Sequence, residues 1–120
     1  MEKYDNAVLD DLALQAGLNK INPKFGDFVT RVAGEAWGLP HIDQKTKALI
    51  VIAVDVVNQN QVGPGNPFGA HVNMALQQGA TYEELEELLL FLCVYAGFNK
   101  VAGCLGALNE IFAQVETPIS

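Results

Sequence analysis

Only a few side chains in this sequence could move a proton or hold an anion, and they are unevenly spaced. There are two histidines, His41 and His71. Imidazole titrates near neutrality, so it can donate or accept a proton at working pH. His71 sits in the run Ala70-His71-Val72-Asn73-Met74-Ala75-Leu76, just ahead of Gly79. His41, between Pro40 and Ile42, reads as a loop residue. Glu35 follows Val32 by three positions and Phe28 by seven, which sets a carboxylate at the margin of an apolar helical face. Lys45 and Lys47 stand where a helix should begin, against the sense of its dipole. Such a placement is tolerable if the two charges meet a partner or a ligand. The two histidines are too far apart in sequence to suggest a metal site, so no metal or other cofactor is expected. Gly63-Pro64-Gly65 is a turn, not a phosphate cradle, since no Lys-Ser or Lys-Thr pair follows it.

The elements that must position these groups read as helices. Tyr4 to Ala16 carries Val8, Leu9 and Leu12 on one side, with Gly17 as its stop. Asn22 is a cap and Pro23 a first helical residue, where a missing amide costs nothing. Phe25, Phe28, Val29, Val32 and Ala36 then form an inner stripe, ended by Trp37, Gly38 and Pro40. Asp43 caps a third helix, apolar on nearly all sides from Ala48 to Val57 apart from Asp55, and so expected to be the buried centre. Asn58 to Pro67 is a loop by composition. Asn66 and Pro67 open the His71 helix, and Gly79 in a left-handed conformation closes it. Thr81 and Glu84 form a capping box for a long helix with Leu85, Leu88, Leu89, Leu92 and Ala96 on one face. Gly97 and Asn99 break the chain. A last amphipathic helix runs through Val101, Cys104, Leu105, Leu108, Ile111, Phe112 and Val115, leaving Glu116 to Ser120 as a loose tail. No strand is convincing. The fold class is therefore all-α, a compact bundle of about six helices in a single domain over residues 1–120.

Composition narrows the function. Half of the 120 residues are apolar and 18% are charged, a ratio that places part of the apolar surface in a subunit interface. A net charge of −7 argues against non-specific binding to nucleic acid or an anionic membrane. It leaves room for a small anionic substrate in a pocket with its own local field. The two cysteines, Cys93 and Cys104, lie in apolar helical stretches, and the N-terminus is not signal-like. Both point to a reduced, cytoplasmic setting. The apolar run from Ala48 is too short to cross a bilayer.

Taken in order, several segments resemble the carboxymuconolactone decarboxylase family. They are Gly34-Glu35-Ala36-Trp37, then Asp43-Gln44-Lys45-Thr46-Lys47-Ala48-Leu49, His71 with Ala75-Leu76, Gly79 through Glu84, and Val94-Tyr95-Ala96-Gly97-Phe98. The likeness spans Phe25 to Leu108. It implies a helical, alkyl hydroperoxidase-like fold assembled as a trimer or hexamer, with active sites at or near subunit contacts. One branch of the family uses a C-x-x-C pair, a following His and an upstream Glu as a thiol relay. Here Asn60 to Phe68, where that pair would lie, holds no thiol, and Ala48 stands at the place of the Glu. Thiol peroxidase chemistry needs a nucleophilic and a resolving sulfur, so it is not expected. The other branch removes a carboxylate from an unsaturated lactone. His71 matches its histidine, and Glu35 and Trp37 match its G-E-x-W segment. The loop before His71 is longer than usual, and Asn99 stands where the family usually shows Pro.

The resemblance implies a lyase acting on a small carboxylated lactone or related oxo-acid. His71 would donate a proton or hold an oxyanion, with Glu35 orienting it. Lys45 or Lys47 would hold a substrate carboxylate, Trp37 would wall the pocket, and Tyr95 and His41 are further substrate contacts. Each has a plainer reading. His71 could be a core or cap histidine, Glu35 a surface carboxylate, Trp37 and Tyr95 packing groups, and the lysines merely solvated. On those readings the chain is a binding or structural module whose redox centre has been lost.

Overall fold

The computed structural model describes residues 2–116, with side chains as far as Gln114. Among them are six helices and no strand: α1 Leu12–Ile21, α2 Pro23–Trp37, α3 Gln44–Asn58, α4 Pro67–Gln77, α5 Tyr82–Tyr95 and α6 Phe98–Glu116. Five of the starts are set by side chains that satisfy free amides of the first turn, Asp11 doing so for Leu14 N at the head of α1. Asn22 accepts from Phe25 N, Asp43 from Thr46 N, Asn66 from Gly69 N and Thr81 from Glu84 N. The Thr81–Glu84 capping box is complete in both directions, at 3.1 and 3.0 Å. Gly79 has φ +92°, the left-handed turn between α4 and α5 that a side chain would oppose.

α1 and α2 pack on each other, whereas α3 packs on α4, α5 and α6. Gly26 permits the first of these contacts: a Cβ there would lie 2.8 Å from the backbone nitrogen of Asn19. The second group encloses Ile52, Val56, Phe68, Val72, Leu85, Leu89, Val101, Cys104 and Leu108, all fully buried. The segment before α1 ties the two groups together. Asn6 Nδ2 donates to the Gly34 carbonyl (2.9 Å), Ala7 N to Gln44 Oε1 (2.7 Å), and Tyr4 N to Gln78 Oε1 (2.8 Å).

Three sequence expectations need correction. The first helix does not run from Tyr4 to a stop at Gly17. Asn6 Oδ1 takes the amides of Val8 and Leu9, and Asp10 takes that of Asn6, local bonds that compete with a helix. The helix starts only after Asp11 caps it, and it passes through Gly17. The stripe of α2 is not inward: Phe25, Phe28, Val32 and Ala36 are exposed in one chain. Nor is α3 buried all round, since Ile50, Val54 and Val57 form an open side. Of the expected tail, Glu116 to Ser120, Glu116 belongs to α6, and residues 117–120 lie outside those described.

Candidate functional site

α3 turns Ala48 and Asp55 inward, seven residues apart and hence on one helical face, and both are buried. Asp55 is 3% exposed. A carboxylate sealed in this way is costly unless it is paired and hydrogen-bonded. Two side chains meet that need. His71 Nδ1, arriving on α4, bonds Asp55 Oδ2, and Asn60 Nδ2 donates to Asp55 Oδ1 at 3.1 Å.

The chain is folded locally to bring Asn60 there. Gln59 ends α3 in a left-handed conformation, φ 55°. The Asn60 amide then donates back to the Asp55 carbonyl at 2.9 Å, and its own carbonyl accepts from Phe68 N at 3.2 Å. Asn60 thereby pins the end of α3, the carboxylate and the first turn of α4 together.

The His71 side chain is 28% exposed. Its Nδ1 is engaged, and its Nε2 has no hydrogen bond among the described residues. A carboxylate behind Nδ1 favours a proton on that nitrogen in the neutral ring, leaving Nε2 as the working atom. The charged ring would present an N–H outward from Nε2, held in place by the buried carboxylate.

Sulfur has no comparable part. Burial pushes the Cys104 thiol above its ordinary value, and the charge of Asp55 acts in the same direction. The thiolate needed for nucleophilic redox chemistry is thus disfavoured.

The other sequence candidates lie apart from this pair. Glu35 is exposed on α2 and makes no side-chain hydrogen bond or ion pair among the described residues. Within one chain the acid that meets His71 is Asp55, not Glu35. Lys47 Nζ donates to the carbonyls of Trp37 (2.8 Å) and Leu39 (2.6 Å), where it serves the end of α2. Lys45 Nζ pairs with Glu84 Oε2 at 2.5 Å. The basic first turn of α3 therefore has protein partners for both charges. Trp37 is buried and edges a shallow hollow of about 170 Å³ with Ala36, Lys47, Ile50 and Val51. Tyr95 is exposed and leans on Phe91, ring centroids 5.2 Å apart. His41 is exposed.

A larger cleft of about 460 Å³ lies by Lys3, Tyr4, Asp43, Gln44, Lys45 and Gln78. Its polar groups are largely engaged in the fold. Gln78 bonds both Tyr4 N and Tyr4 O, Gln44 bonds Ala7 N and the Trp37 carbonyl, and Asp43 caps α3. Among the described residues no cluster of three or more His, Cys, Asp or Glu side chains could hold a metal ion, and no helix is long and apolar enough to cross a membrane.

Asp55 is the residue that sequence reasoning left unassigned. Its signal was a lone acid inside the apolar run from Ala48 to Val57, two turns beyond Ala48 on the same face. These features define a small all-helical protein with a histidine–carboxylate pair suited to proton transfer. Residues 23–110 match the family model described as the carboxymuconolactone decarboxylase family. The chain belongs to that family. It is similar to the 4-carboxymuconolactone decarboxylase of Acinetobacter baylyi (strain ATCC 33305 / BD413 / ADP1), 30% identical over 115 residues, covering 95% of this chain and 78% of that protein.

Proposed function

We propose that the chain is a lyase of the carboxymuconolactone decarboxylase type, acting on a small carboxylated lactone or a related oxo-acid. The observation that supports it is the Asp55–His71 pair, with Nδ1 occupied and Nε2 without a hydrogen bond among the described residues. The printed name of the Acinetobacter relative supports the reaction class.

The chemistry asks for two things. As carbon dioxide leaves, the electron pair of the breaking carbon–carbon bond moves through the double bond to the lactone carbonyl. The oxyanion so formed must be stabilised, and carbon must then take a proton. His71 with a proton on Nε2 can bond the developing oxyanion and afterwards deliver that proton to carbon. Asp55 keeps the ring oriented and offsets its positive charge. The role expected of Glu35 from the sequence passes to Asp55 in this reading. The other partner in these steps is a small anionic substrate.

The test is a panel of carboxylated lactones and oxo-acids incubated with the purified protein and followed for released carbon dioxide. Release from at least one compound, lost in His71→Ala while the helical circular dichroism is kept, is the expected result. No release from any compound, or an unchanged rate in the variant, overturns the proposal.

A further inference from the structure

Two tasks fall on position 60, and only one of them needs an asparagine. Ending α3 is done by the backbone. Gln59 takes the left-handed conformation, and it is the one residue other than glycine with a positive φ among those described. The Asn60 amide then returns to the Asp55 carbonyl, and the Asn60 carbonyl receives Phe68 N. Any residue but proline could make those two bonds. The side chain does something else. Its Nδ2 reaches Asp55 Oδ1 at 3.1 Å, the carboxylate oxygen that His71 Nδ1 does not use.

The neighbours of Asn60 are fastened on both sides. Gln59 Nε2 donates to the carbonyls of Val56 (2.6 Å) and Lys100 (2.9 Å), and Gln61 Nε2 donates to Gln59 Oε1 at 3.3 Å. Gln61 lies close on α6, where a Cβ added to Gly103 would stand 2.9 Å from its Nε2. Asn60 is thus presented to Asp55 from a connection tied to α3, α4 and α6.

A carboxylate can only accept, whereas a carboxamide has a donor on one arm and an acceptor on the other. A fixed N–H₂ on Oδ1 therefore demands an acceptor at that arm of residue 55. Asp55 is 3% exposed, so solvent supplies no ready substitute. Without Asn60 Nδ2, Oδ1 would be an unpaired buried acceptor, a state relieved by a proton on the carboxyl group. The nearest source of that proton is His71 Nδ1, the group in contact. The neutral ring would then carry its proton on Nε2.

We infer that the Asn60 side chain is a positioning residue of the histidine–carboxylate pair. By holding Oδ1 it keeps residue 55 an acceptor toward the ring, which places the ring proton on Nδ1 and leaves Nε2 for chemistry. Its value to catalysis rests on the decarboxylase reading, but the proton's place is read without substrate, by ¹⁵N NMR of the neutral His71 ring. Asn60→Leu fills the amide's volume and offers no donor. It should move the Nδ1 signal toward that of a bare nitrogen while the amides of residues 60 and 68 stay protected from exchange. Should that variant fail to fold, Asn60→Val is read in its place.

The sharper test exchanges the two side chains. In Asp55→Asn alone, Asn60 still takes the new carbonyl, so the ring faces N–H₂ and holds its proton on Nε2. When Asn60→Asp is added, the acceptor stands at position 60. The amide at position 55 then donates to it and turns its carbonyl to the ring, and the proton returns to Nδ1. Carbon dioxide release should rise at least ~10-fold over Asp55→Asn. A side chain that merely shaped the α3–α4 connection would give no such reversal. A wild-type Nδ1 signal in Asn60→Leu, or a double variant that keeps the tautomer of Asp55→Asn, overturns the inference. A restored tautomer without any gain in rate upholds the proton placement and counts against the reaction assigned to His71.

Discussion

Asp55 and His71 meet across the α3–α4 contact, the carboxylate sealed from solvent and the ring partly open to it. Sixteen residues separate them in sequence, and the intervening Asn60 holds the other carboxylate oxygen. That second bond makes the effect of an amide substitution specific. In Asp55→Asn, Asn60 still offers its N–H₂, so the new carbonyl oxygen turns toward Asn60 and the new amide nitrogen toward the ring. A donor now faces His71 Nδ1. The neutral ring must then carry its proton on Nε2, the opposite tautomer. We expect the ¹⁵N spectrum of His71 to show that exchange, and carbon dioxide release to fall by about 10²–10⁴-fold, the usual worth of positioned acid–base catalysis. An Asp55→Asn variant with the wild-type tautomer and rate would remove Asp55 from the mechanism.

Cysteine reactivity separates this chain from thiol-relay relatives. Cys104 is fully buried, and both burial and the Asp55 charge raise its thiol. Cys93 is partly buried on α5. In the folded protein at pH 8, Cys104 should react with iodoacetamide at least about tenfold more slowly than in urea, since only thiolate attacks. Peptide mapping by mass spectrometry reads the two sites separately. Rapid native labelling of Cys104 would contradict its placement.

Gly79 is the tightest local demand on the turn between α4 and α5. Its φ of +92° is one that L side chains resist at a cost of about 1–2 kcal/mol. Added bulk would also press on Lys3 Cε at 2.8 Å, though that side chain can move aside. Gly79→Ala should therefore lower the thermal midpoint by several degrees, mostly through backbone strain. Gly17→Ala, mid-helix with open space around it, should leave stability unchanged or raise it, by up to ~1 kcal/mol.

Particular residues explain what the sequence made legible. The starts of α2 to α5 were readable because Asn22, Asp43, Asn66 and Thr81 each act on the amide three residues ahead. The start of α1 was not, because Asn6 takes the amides of Val8 and Leu9 and delays the helix to Leu12. Periodicity correctly marked Phe25, Phe28 and Val32 as one face, but not whether that face met its own chain. His71 stood out by its chemistry and by its place in the family resemblance. Its acidic partner did not, since a pair made across α3 and α4 depends on which helices pack, and Glu35 was the more conspicuous carboxylate on a stripe margin.

Acid should loosen the α4–α5 turn before it disturbs the core. Lys45 beside Glu84, and next the Thr81 amide, hold the Glu84 carboxyl below its ordinary value of 4.5. The Thr46 amide likewise holds Asp43 below 3.8. A carboxyl lowered in the folded state binds its proton more readily in the unfolded chain. The stability it contributes is thus full above the unfolded value and is lost as pH falls through the lowered folded one. Asp43 is exposed and Glu84 partly so, so solvent screens the effect and each contribution is small. Its place is nonetheless defined: Glu84 is both the reciprocal half of the capping box and the partner of Lys45. Below pH 4.5 amide exchange should quicken first at Thr81 and Glu84. Glu84→Gln should already show at pH 7 the loss of the Lys45 ion pair, and its stability should vary less with pH in the acid range than that of the wild type. Hydrogen exchange and urea titrations from pH 3 to 7 measure both. An equal acid response in wild type and Glu84→Gln would show that this carboxylate does not couple protonation to the turn.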